Sequence, residues 1–233
     1  MPVDLHGVVT VLLPGTGSDD QYLERAFGQP LRAAGAHLVA VRPEPAALLD
    51  GYVRALQRAA ESGPIAVGGV SLGAAVAAGW ALAHPDDVVA VLAALPPWTG
   101  APGDAAGAVS ARHTAAELRR TGLAATTAAM RASSPPWLAD ELARSWQRQW
   151  PHLPEALDEA AGFIAPDAED LGRLRAPMGV AAAPDDPIHP LQVAQQWATA
   201  APHAGLRTVS LDTFGADPAA LGRACLDALS TAG

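Results

Sequence analysis

Gly69-Val70-Ser71-Leu72-Gly73 carries the most legible chemistry in this chain. The pentapeptide fits G-x-S-x-G, follows the apolar run Ile65-Ala66-Val67 and precedes the small-residue stretch Ala74 to Leu82. A strand, a sharp turn bearing a serine and then a helix is the context in which this spacing presents a nucleophilic hydroxyl at the end of a sheet. The glycines have a physical reason, because a side chain on either flank would crowd the neighbouring strand and helix. The bland alternative is a plain strand-to-helix turn, since Gly, Ser and Ala are common throughout the chain. An unassisted serine hydroxyl is a poor nucleophile at neutral pH. Ser71 therefore needs a base, an orienting carboxylate and donors for a developing oxyanion.

The elements around the pentapeptide are readable as apolar runs of strand length: Val8–Leu13, His37–Val41, Ile65–Val70, Val88–Leu95, Met178–Ala183 and Leu206–Leu211. They do not alternate polar with apolar residues, as expected of parallel strands buried on both faces. Helical patterns lie between them at Asp20–Ala34, Pro45–Glu61, Leu72–Ala83, Pro190–Ala200 and Pro218–Leu229, with Pro45, Pro190 and Pro218 where first-turn prolines belong. Strand-helix alternation of this kind predicts an α/β fold with a parallel sheet and right-handed crossovers. From Pro96 to Ala176 the rhythm stops. Helical pieces replace strands there, for example Ser110–Arg120 with Ser110 as N-cap, and Pro136–Trp150. Trp98, Trp137, Trp146 and Trp150 lie in this insertion or at its entrance, and Trp146 and Trp150 are one helical turn apart. They either line a pocket or fasten the insertion to the sheet.

Composition narrows the function classes. The chain has 233 residues, half of them hydrophobic, enough for one α/β domain with a sizeable core. Its net charge is −9, and all 15 basic residues are arginines. No basic stripe interleaved with aromatics occurs, which argues against a nucleic-acid partner. Val8–Leu13 is too short to span a membrane and lacks the flanks of a signal peptide, so the expectation is a cytoplasmic protein with no membrane partner. The lone Cys225 falls in the apolar pattern of the last helix and reads as a buried thiol. No Cys/His spacing suits a metal, and no cofactor motif is present.

With the serine turn, the parallel pattern and an insertion after the fourth strand, the chain resembles the α/β-hydrolase family over nearly its whole length. The resemblance implies a mostly parallel sheet of about six strands with helices on both faces, and a helical lid over residues 96–176 within a single domain. In many members the first strand ends in His-Gly-x, and the amide of x joins the amide after the nucleophile as the oxyanion hole. Here Pro14-Gly15-Thr16 occupies that position, so the implied donors are the amides of Thr16 and Leu72. Ser18 reads as the cap of the helix that follows. The acid of the family follows the strand Met178–Ala183, commonly four residues ahead of a proline. That spacing selects Asp186 ahead of Pro190, with Asp185 as runner-up. An alternative reading of Asp186 is a helix cap before Pro190.

The family's histidine follows the last strand, directly after a glycine. Ala216 stands there, and no histidine occurs after His203. Active sites in open α/β sheets lie at the carboxyl ends of the strands. His6, His37, His84 and His203 fall at the other end, which leaves His189, His113 and His152. His189 is the first candidate because it sits three residues after Asp186 on the acid loop. His113 would have to reach down from the insertion.

Two classes of function remain open on sequence. One is a serine hydrolase of an ester or thioester of a small to medium apolar acid, with Ser71, Asp186 and a base such as His189. The other is a non-hydrolytic member, a ligand-binding protein or a lyase-type enzyme, that has lost its base, as Ala216 suggests. Either partner is a small apolar molecule.

Overall fold

The computed structural model describes residues 3–232. The chain forms β1 (Val9–Leu13), α1 (Asp20–Ala33), β2 (His37–Ala40), α2 (Leu48–Ala60), β3 (Ile65–Val70), α3 (Leu72–Ala83) and β4 (Val88–Ala94). Four helices follow without a strand: α4 (Ala106–Ser133), α5 (Pro136–Gln149), α6 (Leu153–Ala161) and α7 (Ala168–Leu171). The chain then returns to the sheet through β5 (Met178–Ala182), α8 (Leu191–Ala200), β6 (Ala204–Thr208), α9 (Leu211–Ala216) and α10 (Ala219–Leu229).

The six strands are all parallel and run in the order β2-β1-β3-β4-β5-β6. Two apolar layers enclose the sheet because successive side chains of a strand point to opposite faces. In β3, Ile65 and Val67 join the layer under α2, α3 and α8, while Ala66 and Val70 join the layer under α1 and α10. Burial on both faces is why the strands read as unbroken apolar runs. The helices α4 to α6 extend the first layer: Ala115, Leu118, Trp146, Leu153 and Leu157 pack continuously with the core beneath α2 and α3.

Two carboxylates fasten this helical segment to the sheet domain. Asp19, buried, caps α1 by accepting from the amides of Gln21 and Tyr22, and it also receives Arg144 at 3.1 Å and Arg148 at 2.9 Å from α5. Glu159 of α6 accepts from the amides of Leu48 and Leu49 at 3.0 and 3.3 Å. The N-cap residue of α2, Ala47, offers no side-chain acceptor, so a residue of the insertion caps that helix.

Several sequence expectations are corrected. Asp19, and not Ser18, caps α1. Ser110 is not an N-cap, because α4 already starts at Ala106 and continues past Arg120 to Ser133, kinked at Gly122 (φ 79°). Pro45 precedes α2 by three residues, and Pro190 and Pro218 are N-cap residues just outside their helices. The last strand lies at Ala204–Thr208 and not at Leu206–Leu211. It is an edge strand whose side chains are partly exposed, so the apolar run marked the approach to α9 rather than the strand itself.

Candidate active site

Val70 ends β3 and Leu72 starts α3, so Ser71 must reverse the chain within one residue. It does so at φ 53° and ψ −120°, a conformation that a side-chain-bearing residue adopts only under strain. The flanking glycines make the turn possible. A Cβ at Gly69 would stand 2.1 Å from the Leu13 carbonyl oxygen, and one at Gly73 would stand 2.0 Å from the same atom. Neither position has room for any other residue. The fully buried small residues of α3, among them Ala74, Ala75, Ala77 and Ala78, let that helix lie close on the sheet.

Gly15 lies against the serine turn, since a Cβ there would meet the Val70 carbonyl at 3.2 Å and the Ser71 Cβ at 3.3 Å. Thr16 follows on the same wall of the cavity. Among the described residues the amides of Thr16 and Leu72 have no hydrogen-bond acceptor within the chain. Leu72 is the first residue of α3, where backbone donors are left free and the helix end carries partial positive charge. The Pro14 carbonyl before this loop accepts from the Tyr52 hydroxyl at 3.1 Å, which holds the loop from behind.

After β5 the chain turns through Pro184 to Pro190. There the Asp186 Oδ1 accepts from the amides of Ile188 at 2.8 Å and His189 at 3.2 Å, folding the loop back on itself. The same turn brings the His189 Nδ1 to 2.7 Å from Asp186 Oδ2. The other ring nitrogen, Nε2, stands 2.9 Å from the Ser71 Oγ. Serine, imidazole and carboxylate thus form one hydrogen-bonded line, with the Asp186 side chain only 7% exposed and that of His189 17%. Burial pushes the Asp186 carboxyl up, but the His189 hydrogen bond and charge, with the two amides, outweigh it and hold it below the ordinary carboxylate range. Asp186 is therefore anionic at neutral pH.

The structure separates the remaining candidates. Asp185 points away and accepts from the Leu211 amide at 3.0 Å, capping α9. Ala216 is exposed at the far end of α9, and the segment after β6 instead turns the buried Phe214 edge-on against Trp137. No side chain at 216 is needed at the serine, because the imidazole comes from the acid loop. His152 lies outside the cavity, while exposed His113 reaches its rim.

A cavity of about 870 Å³ opens over Ser71, walled by the serine loop, the acid loop, α4 and α5. Trp98, Trp137 and Trp146 line it. Trp150 does not. It is 41% exposed and stands at the C-terminal cap of α5, where ψ 140° ends the helix. Proline at 151 disfavours helical conformation in the residue before it, which accounts for the break. Sequence reasoning missed Tyr22, Glu117, Arg120 and Glu141, all of which border the cavity. The signal for Tyr22 was its place one turn into the helix that follows the Thr16 loop. The acidic and basic residues had none, because their solvated helix faces look like any others. Among the described residues no cluster of His, Cys, Asp and Glu suits a metal ion.

The overall fold recurs in solved structures. Rv0554 from Mycobacterium tuberculosis matches with a TM-score of 0.70 at 19% identity, over 97% of this chain and 91% of that one. The chain has the α/β-hydrolase fold. A hydrolase from Pseudomonas aeruginosa PA01 shares that fold with a TM-score of 0.67 at 20% identity, over 95% of this chain and 89% of that one. A thermophilic esterase from Thermogutta terrifontis matches at 0.62 and 18% identity, over 88% and 82%. No protein-family model and no curated protein sequence matches the chain. Among the described residues, β1 is the first strand of the sheet. No helix among the described residues is long and apolar enough to cross a membrane.

Proposed function

We propose that this chain is a serine hydrolase acting on an ester or thioester of a small to medium apolar acid. The observation that carries the reading is the His189 imidazole, bound to Asp186 through Nδ1 at 2.7 Å and to Ser71 through Nε2 at 2.9 Å. In the reaction the Ser71 Oγ attacks the acyl carbon while its proton passes to His189 Nε2. The Asp186 carboxylate keeps the ring in the tautomer that has Nε2 free and stabilises the imidazolium that forms. The Thr16 and Leu72 amides, unpaired among the described residues, receive the oxyanion. Nε2 returns the proton to the departing oxygen or sulfur. Water then attacks the acyl-serine, giving its proton to Nε2, and the acid leaves as Ser71 Oγ recovers that proton.

The substrate class follows from the cavity wall. Trp98, Trp137, Trp146, Leu157, Ile188 and Phe214 form an apolar lining around the serine, suited to a hydrocarbon portion rather than a polyanion. The helices α4 to α6 would then serve as the lid of the site. The esterase that shares the fold is consistent with this chemistry. The non-hydrolytic reading rested on alanine at 216, and with an imidazole in hydrogen-bond reach of Ser71 no observation favours it. Labelling with a fluorophosphonate, followed by mapping of the adduct, tests the proposal. An adduct on Ser71 that disappears in His189→Ala supports it, and no adduct at high probe concentration refutes it.

A further inference from the structure

The chain has two tyrosines, and they differ in one respect. Tyr52 is sealed in the core with its hydroxyl donated to the Pro14 carbonyl. Tyr22 is 7% exposed, yet its phenol makes no hydrogen bond among the described residues. Nor is its oxygen closed in by protein like the Thr10 hydroxyl or the Trp80 indole N–H; it opens on the cavity above Ser71. A polar group in such a position keeps its hydrogen bond to water or to a ligand. Tyr22 lies in the first turn of α1 and lines the cavity together with Thr16 and Ser18 of the loop that precedes the helix. Glu141, across the cavity from α5, is committed to Arg25 and Arg144. Burial and the Glu141 charge push the phenol up, against the opposing effect of Arg25, so it stays protonated and keeps its donor.

The sheet order fixes which part of a substrate meets this phenol. Ser71 follows β3, with β1 on one side and β4 and β5 on the other. His189 follows β5, and the leaving group must depart toward His189 Nε2 to collect its proton. Tyr22 follows β1, on the opposite side of the serine, so an acyl group that runs away from His189 along the cavity would pass it. We propose that Tyr22 is a specificity-determining residue whose O–H donates a hydrogen bond to an oxygen within the acyl chain. The substrate class is then an ester or thioester of an apolar acid that bears an ether, keto or hydroxyl oxygen, rather than of a plain hydrocarbon acid. This rests on the serine-hydrolase reading above. A plain alkyl chain would displace the phenol's water and leave the donor unpaired, a loss of about tenfold in kcat/KM.

The test uses p-nitrophenyl octanoate and its isosteres in which an ether oxygen replaces one methylene, moved along the chain one position at a time. The wild-type chain should favour one isostere over octanoate by about tenfold in kcat/KM. Tyr22→Phe should bring that ratio to about one, a change that altered folding alone would not produce. The N-methyl amides of the same acids, titrated against Ser71→Ala by tryptophan fluorescence, should show the same preference in Kd and lose it when Tyr22→Phe is added. Ser71-dependent hydrolysis without any isostere preference overturns the Tyr22 assignment and leaves the hydrolase reading standing. A preference that survives Tyr22→Phe also overturns it. No hydrolysis, with a Tyr22-dependent preference in Kd, refutes the hydrolase reading and keeps the assignment.

Discussion

Replacing His189 by alanine removes two hydrogen bonds at once, the one at 2.9 Å to Ser71 Oγ and the one at 2.7 Å to Asp186 Oδ2. The loop itself should survive, because Asp186 Oδ1 still accepts from the amides at 188 and 189. General-base assistance alone supplies roughly 10²–10⁴-fold, and in a serine protease loss of the histidine costs nearly as much as loss of the whole unit, on the order of 10⁶-fold. The expected fall in kcat is therefore about 10⁴- to 10⁶-fold, or about 5–8 kcal/mol of transition-state stabilisation. The assay is hydrolysis of a short p-nitrophenyl ester, with Ser71→Ala defining the floor and thermal melts confirming that the variant is folded. Serine and imidazole act as one unit in this account, so combining Ser71→Ala with His189→Ala should cost little more than either alone. Adding Ala216→His to His189→Ala should recover nothing, since residue 216 is exposed at the far end of α9. His189→Ala retaining more than about a hundredth of the parental kcat would refute the assignment, since general-base help alone is worth at least that much.

Asp186 and Asp185 should separate cleanly. Asp186→Asn should lower kcat by about 10⁴-fold by releasing the ring tautomer, whereas Asp185→Asn should leave kcat/KM intact and lower the melting temperature through a weaker cap on Leu211. The Asp186 carboxyl is held below its unfolded value, so its contribution to stability is present above about pH 4 and fades as pH falls through the lower folded value. Acid titrations of stability should therefore show a shallower acid limb in Asp186→Asn. Alanine at Trp98, Trp137 or Trp146 should weaken binding of an apolar acyl ligand by up to a few kcal/mol, measured by competition, while Trp150→Ala should change it little. Glu159→Gln should destabilise the chain by about 1 kcal/mol in denaturant melts, because it weakens the capping of α2 from the insertion.

Most of the sheet was legible because its strands are buried on both faces. Ile65–Val70 and Leu72–Ala83 are found where the apolar run and the small-residue stretch put them. The edge strand was misplaced for the converse reason. Ala204–Thr208 is half exposed, and Gly205 admits the Ala228 carbonyl within 2.1 Å of where a Cβ would be, so packing against α10 and not an apolar pattern defines it. The end of α5 at Trp150 was written in Pro151, but nothing local said that the indole one turn after Trp146 would stand outside the cavity. At the site, Ser71 announced itself through local context, and His189 emerged from which end of the sheet it occupies. The separation of Asp185 from Asp186 depends on whether each carboxylate meets the Leu211 amide or the imidazole, a choice made by loop geometry. The fastening of the insertion by Asp19 and Glu159 joins residues more than a hundred positions apart, and no local pattern encodes it.

An alignment of three groups drawn from three separate loops has to survive every relative motion of those loops. Here the carboxylate and the ring travel together, because Asp186 and His189 belong to one short turn tied by its own amides. The number of independent bodies that must stay in register falls from three to two: the acid loop and the serine turn. The C-terminal edge of the sheet, β6 with α9, contributes no side chain to that alignment and meets the acid loop through the Leu211 amide on Asp185. Substitution at Phe214 can therefore reshape the cavity wall without removing any member of the Ser71–His189–Asp186 line. In a fold whose histidine sits after the last strand, a change at that edge would bear on the pocket and the base together.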